Sequence, residues 1–251
     1  SRKFVTGENN IIIISIIRSL IFNIFFYAFT ILSCSFIVLL YPFLKTSTLQ
    51  LLAKHCIYLI LYSLKFICGV SWEINGLNNI PKGPCIIAAN HQGVWESFFL
   101  QTISTPSSSI IKRELLFIPF FGWALACLKP IHLKRSNKFR SFKTVINKGS
   151  KKIAKGTSLI IFPEGTRSKP EDGLKPFSNS CGVLSVNNNI PVIPICHNSG
   201  LYWRNKSFIK KPGVIKVRIG KPIYGDSPKN VTKNVKNWIQ SNFDEMHQLN
   251  I

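Results

Sequence analysis

The sequence predicts an α/β protein: a mostly parallel central sheet flanked by helices, preceded by an N-terminal hydrophobic, membrane-associated helical element. Three observations predict it. No charged residue occurs between Arg18 and Lys45. From about Val70 onward, short β-rich runs alternate with stretches of helical pattern. A chain of 251 residues is long enough to bury one sizeable core.

The N-terminal element comes first. Leu20 to Leu44 is dominated by Ile, Phe, Leu, Val, Ala and Tyr, and a membrane span needs roughly 20 such residues. A signal peptide would have a shorter apolar region, about 7–15 residues, ending in a small-residue cleavage site. Pro42-Phe43-Leu44-Lys45 does not resemble one. The segment either crosses the bilayer or turns back within one leaflet. A second apolar stretch, Leu49 to Val70, carries Lys54, His55 and Lys65. It reads as an interfacial or partly buried helix whose lysines snorkel to headgroups. The expected division is therefore a membrane-anchoring segment over residues 1–68 and an α/β domain over residues 69–251.

Within that domain the expected strands are Val70–Ile74, Cys85–Ala89, Ser109–Lys112, Pro130–Lys134, Ser158–Phe162, Val192–Cys196 and Val214–Ile219. The expected helices are Val94–Ile103, Phe120–Cys127, Lys138–Lys155, Cys181–Asn187 and Lys229–Gln248. Such alternation gives a largely parallel sheet, and ligands on these sheets bind in the loops beyond the strand ends.

Composition narrows the function classes. Apolar residues make up 46% of the chain and charged residues 17%, too apolar a balance for a disordered tail. Lys and Arg number 32 against 10 acids, a formal charge of +22, which attracts nucleic acid or an anionic lipid surface. Nucleic-acid binding predicts basic residues clustered with stacking aromatics on one element. Here they are scattered, and Lys210-Lys211-Pro212-Gly213 reads as a solvated loop. The seven cysteines form no Cys-x-x-Cys pair and sit mostly in apolar runs. Reduced buried thiols are expected, with neither a disulfide framework nor a metal site.

Two strand-end blocks carry candidate chemistry. The first is Asn90-His91-Gln92-Gly93-Val94-Trp95-Glu96. Residues five apart do not share a face of one helix. With His91 in the loop and Glu96 in the first helical turn, the two side chains can meet. A carboxylate on one ring nitrogen then fixes the tautomer and leaves the other to take a proton from an alcohol. A surface His–acid pair is the ordinary alternative, and His247 beside Asp244 and Glu245 reads that way. His55, His132 and His197 lack a close downstream acid.

The second block is Phe162-Pro163-Glu164-Gly165-Thr166-Arg167-Ser168. Pro163 ends a strand and Gly165 permits a tight turn. Arg167 is a permanent cation with a planar fork suited to phosphate. Thr166 and the turn amides are further donors, and Glu164 either orients Arg167 or accepts a substrate hydroxyl. A turn with an ordinary ion pair gives the same pattern.

Together these residues resemble the glycerophospholipid acyltransferase family, most closely the 1-acyl-sn-glycerol-3-phosphate acyltransferases, over about Pro84 to Ile223. Asn90-His91 to Glu96 resembles the family's catalytic His-x4-acid block. Lys112-Arg113-Glu114-Leu115, with Pro119, Gly122 and His132 to Arg135, resembles the block implicated in glycerophosphate binding. Phe162 to Ser168 resembles the third block, and Ile190 to Ile195 the fourth, which shapes the substrate pocket. Most members carry Asp where Glu96 stands; Glu-bearing members also occur, and His197-Asn-Ser-Gly200 through Trp203 is similar to theirs. A basic residue that often follows the third block is replaced here by Phe177-Ser-Asn-Ser180, with Lys175 the nearest substitute.

The resemblance implies a mechanism. His91, held by Glu96, deprotonates the sn-2 hydroxyl of lysophosphatidic acid, which attacks the thioester of acyl-CoA or acyl carrier protein. Lys112, Arg135, Glu164, Gly165, Thr166 and Arg167 form the substrate-binding set, with Gly165 and nearby amides on the oxyanion. No cofactor or metal is expected, and the partners are membrane lipid, the acceptor and the acyl donor. The expected location is a membrane, a bacterial inner membrane with the domain on its cytoplasmic face. Another lysolipid acceptor, such as a lysophospholipid or lyso-ornithine lipid, and a non-catalytic basic binding protein remain alternatives.

Overall fold

The structure, a computed structural model, describes residues 2–134 and 137–248. Two helices open the chain, α1 (Arg2–Leu40) and α2 (Thr46–Cys68). The windows Ile12–Leu40 and Thr46–Cys68 are each long and apolar enough to cross a membrane. Much of the outer surface of α1 is bare hydrocarbon, including Ile24, Leu32, Phe36 and Leu39, so the chain is built for membrane association. Lys54 and Lys65 do not disqualify α2 by length and composition. One of its faces is nevertheless buried, through Leu49, Ala53, Ile60, Leu61, Leu64 and Cys68 at helical spacing. Gly69, at φ 70°, ends the helix in the left-handed conformation and donates its N–H to Lys65 O.

The remainder alternates as expected. The strands are β1 (Val70–Asn75), β2 (Ile86–Ala89), β3 (Ser107–Lys112), β4 (Ile131–Leu133), β5 (Ser158–Ile161), β6 (Val192–His197) and β7 (Gly213–Ile219). The helices are α3 (Trp95–Ile103), α4 (Phe121–Cys127), α5 (Lys138–Ile153), α6 (Ser180–Asn188) and α7 (Pro228–Gln248). All seven strands join one sheet in the order β1-β7-β6-β2-β5-β3-β4. Every neighbouring pair is parallel except β6 with β7. That single reversal follows a connection that returns from the carboxyl edge without crossing the sheet.

The core is sorted by the two-residue period of the central strands. Ile87 and Ala89 of β2 face a cluster with Leu61, Leu64, Trp95, Ile193 and Trp203, under α2 and α3. Ile86 and Ala88 face the opposite cluster with Leu159, Leu184, Val235 and Ile239, under α6 and α7. Strands buried on both faces read as continuous apolar runs, as β2, β5 and β6 do. Phe22 of α1 belongs to the first cluster. The N-terminal helices and the sheet thus share one core. All seven cysteines are free thiols, six of them buried.

Candidate active site

Strands β2, β5 and β6 lie side by side and parallel, so their carboxyl ends meet at one edge of the sheet. The loops after them carry His91, Glu164 and Ser199. This is where ligands gather in open α/β sheets.

Five residues, 90–94, separate the end of β2 from the start of α3, and Glu96 sits in the first turn of that helix. His91 Nδ1 and Glu96 Oε1 are 2.9 Å apart. The same oxygen accepts the backbone N–H of Gln92 at 2.9 Å and of Gly93 at 2.7 Å. Oε2 accepts the Ser199 hydroxyl at 2.6 Å. Glu96 is fully buried. Burial by itself would push its carboxyl up, but the hydrogen bonds from His91 and Ser199 outweigh it and hold the group below the usual carboxylate range. An ionised carboxylate only accepts, so Nδ1 of His91 carries the ring proton. Nε2 is left with its lone pair and has no hydrogen-bond partner among the described residues. The ring stacks on Phe162, with centroids 3.9 Å apart and planes 15° from parallel, and His91 keeps 9% exposure.

The second block clamps the first. Glu164 Oε1 accepts the His91 N–H and Oε2 the Lys175 N–H, each at 2.9 Å. Burial raises the Glu164 carboxyl, and those backbone donors oppose the rise. Each oxygen accepts a backbone N–H, and Glu164 forms no ion pair with Arg167 among the described residues. Arg167 donates from Nε to Gly93 O at 2.6 Å and from Nη2 to Ser97 Oγ at 3.3 Å. Lys175 Nζ bonds the Arg167 carbonyl at 2.8 Å. Gly165, at φ 70°, makes the turn that the sequence anticipates. Its N–H, however, donates to Phe162 O at 2.9 Å, so it is spent on the turn and does not serve an oxyanion. Thr166 is exposed, and its hydroxyl has no partner among the described residues.

Lys112, an outlying member of the expected set, is not gathered in. Lys112 ends β3, exposed, two strands from β2. Arg135 and the side chain of His247 lie outside the described residues.

The sequence reading passed over two groups. His197 is buried against Asn90: its Nε2 lies 2.8 Å from Asn90 O, and Ser199 N donates to its Nδ1 at 3.4 Å. A carbonyl can only accept, so Nε2 carries the proton and the ring is neutral. Burial lowers its pKa accordingly. Asn90 completes the tie, exchanging side-chain hydrogen bonds with the His197 backbone at 2.9 and 3.1 Å. Ser199 was visible only as part of a run similar to Glu-bearing family members. Its distance from Glu96, 103 residues along the chain, hides the contact. Gln92 is 1% exposed, and neither side-chain polar atom has a partner.

A family model described as Acyltransferase matches residues 71–198, a span that contains the loops carrying His91 and Glu164 and ends one residue before Ser199. The 1-acyl-sn-glycerol-3-phosphate acyltransferase of Pseudomonas aeruginosa is 40% identical over 187 residues, 72% of each chain. The enzyme of that name from Saccharomyces cerevisiae is 31% identical over 194 residues, 76% of this chain and 62% of the yeast protein. The crystal structure of the 1-acyl-sn-glycerophosphate acyltransferase from Thermotoga maritima shares the fold. Its TM-score is 0.74 at 20% identity, covering 92% of this chain and 95% of that one. The match covers half of the chain and the two loops that carry His91 and Glu164, and the chain belongs to the Acyltransferase family.

Proposed function

We propose that the protein transfers a fatty acyl group from acyl-CoA or acyl carrier protein to the sn-2 hydroxyl of lysophosphatidic acid, giving phosphatidic acid for phospholipid synthesis. The observation that carries this is the ring of His91, tied through Nδ1 to a buried, ionised Glu96 with Nε2 left unengaged. The names of the relatives supply the acceptor.

In this reading Nε2 takes the hydroxyl proton as the oxygen attacks the thioester carbon. The tetrahedral intermediate expels the thiolate, which receives that proton. Both steps use only the two substrates. Arg167, with two of its five donors holding the loop, keeps the rest for the acceptor's phosphate. Lys112, Arg135 and the Thr166 hydroxyl complete the anion-binding set for that phosphate. The apolar helices support a reaction at a bilayer, and in this reading the bilayer is a bacterial inner membrane with the domain on its cytoplasmic face.

Thioester consumption by the purified protein, with a panel of lysolipid acceptors, tests the reading. His91→Ala should lower turnover by roughly 10²–10⁴-fold with an unchanged melting temperature; retained turnover rejects His91 as the base. Arg167→Ala should raise KM for the phosphate-bearing acceptor more than it lowers kcat. Equal rates for acceptors with and without the phosphate would remove the assigned substrate.

A further inference from the structure

The opposite edge of the sheet carries a second, separate basic feature. A cleft of about 520 Å³ is lined by Lys129, Lys148, Lys151, Lys152 and Lys155. Pro130 and Thr157 in its wall immediately precede β4 and β5. The cleft therefore sits at the amino ends of strands whose carboxyl ends face the catalytic loops. A strand the length of β5 separates the two edges by roughly 15 Å.

Four of these lysines share one helical face, spaced three, four and seven residues from Lys148 along α5 and its exit. Lys129 converges on them from another loop. No acidic residue lines the cleft, and none of the five lysines forms an ion pair among the described residues. Lys152 donates to Lys129 O at 2.6 Å. Its burial and the neighbouring charges of Lys129 and Lys155 lower its pKa. Cations near a helix C-terminus are favoured by the helix dipole, which accounts for Lys151 and Lys152 but not for Lys129 or for the concavity. Unneutralised cations gathered around a hollow call for an anion.

The other wall identifies its source. Thr46 and Ser47 of the first turn of α2 line the cleft. They directly follow the connection between the two apolar helices, where Phe43 is 79% exposed and Tyr41 42%. Apolar surface and basic hollow therefore adjoin, as the two ends of one amphiphile require.

We propose that this cleft binds the phosphate headgroup of an acidic diacyl phospholipid, with the acyl chains lying against Tyr41, Phe43 and the outer face of α1. It is a second lipid site, independent of the acyl-transfer reading above. The hydroxyls of Thr46, Ser47 and Thr157 offer neutral donors beside the lysines.

Native mass spectrometry of the full chain in neutral detergent tests it, with phosphatidylglycerol competing against phosphatidylcholine. Phosphatidylglycerol has no free sn-2 hydroxyl and so is not the proposed acceptor. The wild type should retain phosphatidylglycerol preferentially. The exposed-lysine triple variant Lys148→Gln, Lys151→Gln, Lys155→Gln should lose that preference by about tenfold or more, each lysine at an anionic surface being worth roughly fivefold. His91→Ala should keep the preference, which separates this site from the catalytic one. The three single variants read the same effect in steps if the triple variant melts early. Equal retention by wild type and variants overturns the proposal. So does lysine-dependent binding of inorganic phosphate or coenzyme A without any lipid preference, or lysine-dependent capture of an acidic acyl carrier protein without one.

Discussion

Glu96 is the residue on which the site turns. Its carboxylate gathers His91, two backbone amides and Ser199. Ser199→Ala removes one donor from a fully buried charge and should cost about 1.5–3 kcal/mol. The carboxyl pKa should rise toward its ordinary value. Denaturant unfolding and the acid limb of the pH–rate profile read these two effects; an unchanged acid limb would assign Ser199 to packing alone. His197 sets a second pH dependence. Its folded pKa lies below the ordinary value of about 6.5, so below that pH the unfolded chain binds the proton and the folded chain does not. Stability is therefore present above about pH 6.5 and lost as pH falls toward the folded pKa. Glu164, raised by burial, acts in the opposite sense at lower pH. His197→Gln retains a donor and cannot titrate, so its melting temperature should fall less between pH 7 and 5 than that of the wild type.

At the scale of elements, the three strand-end loops are a single mechanical unit. Ser168 N bonds His91 O at 2.8 Å, and Val94 N bonds Trp203 O at 3.3 Å. Gly93 is the point of closest approach: a Cβ there would stand 2.4 Å from the Trp203 carbonyl oxygen. Its own N–H goes to Glu96 and its carbonyl to Arg167. Gly93→Ala should push the first loop away from the third, loosening both contacts. A fall in kcat/KM of about tenfold or more is expected, since misplacement by an ångström far from the chemistry costs as much or more. Melting and steady-state kinetics on the same preparation check it; wild-type kinetics would show that the loops need not touch. Gly122 works similarly in the second block, where a Cβ would meet the Leu116 carbonyl oxygen at 2.4 Å. The close turn before α4 thus explains that glycine without a substrate.

Across the whole molecule, the membrane helix is fastened to the third loop. Trp203 meets Phe22 and Phe26 edge-on at 5.3 and 5.5 Å. The Lys210 backbone N–H donates to Ser19 Oγ at 2.9 Å, and the Lys210 ammonium lies over the Phe22 and Trp203 rings at 5.6 and 5.7 Å. Trp203→Ala should therefore cost about 3–5 kcal/mol, expose α1 to limited proteolysis and lower activity through Ser199. Intact resistance of α1 to protease would show that the helix is held elsewhere. Much of this architecture was legible beforehand. Ile86-Ile87-Ala88-Ala89 and Ser158 to Ile161 are apolar on both faces, and only a sheet covered on both sides uses such runs. The uncharged stretch after Arg18 announced the membrane element, and His91 and Glu96 announced the dyad, because each depends on neighbours a few residues away. Three things required the fold. Ser199 reaches Glu96 because β6 lies beside β2. Glu164 reaches the His91 backbone because the loops that carry them follow adjacent strands. The lysines of α5 gather around a hollow because the start of α2 packs at the amino edge of the sheet. Local periodicity and chemical type are written in the chain; which distant groups become neighbours is decided only when strand order brings them to one edge.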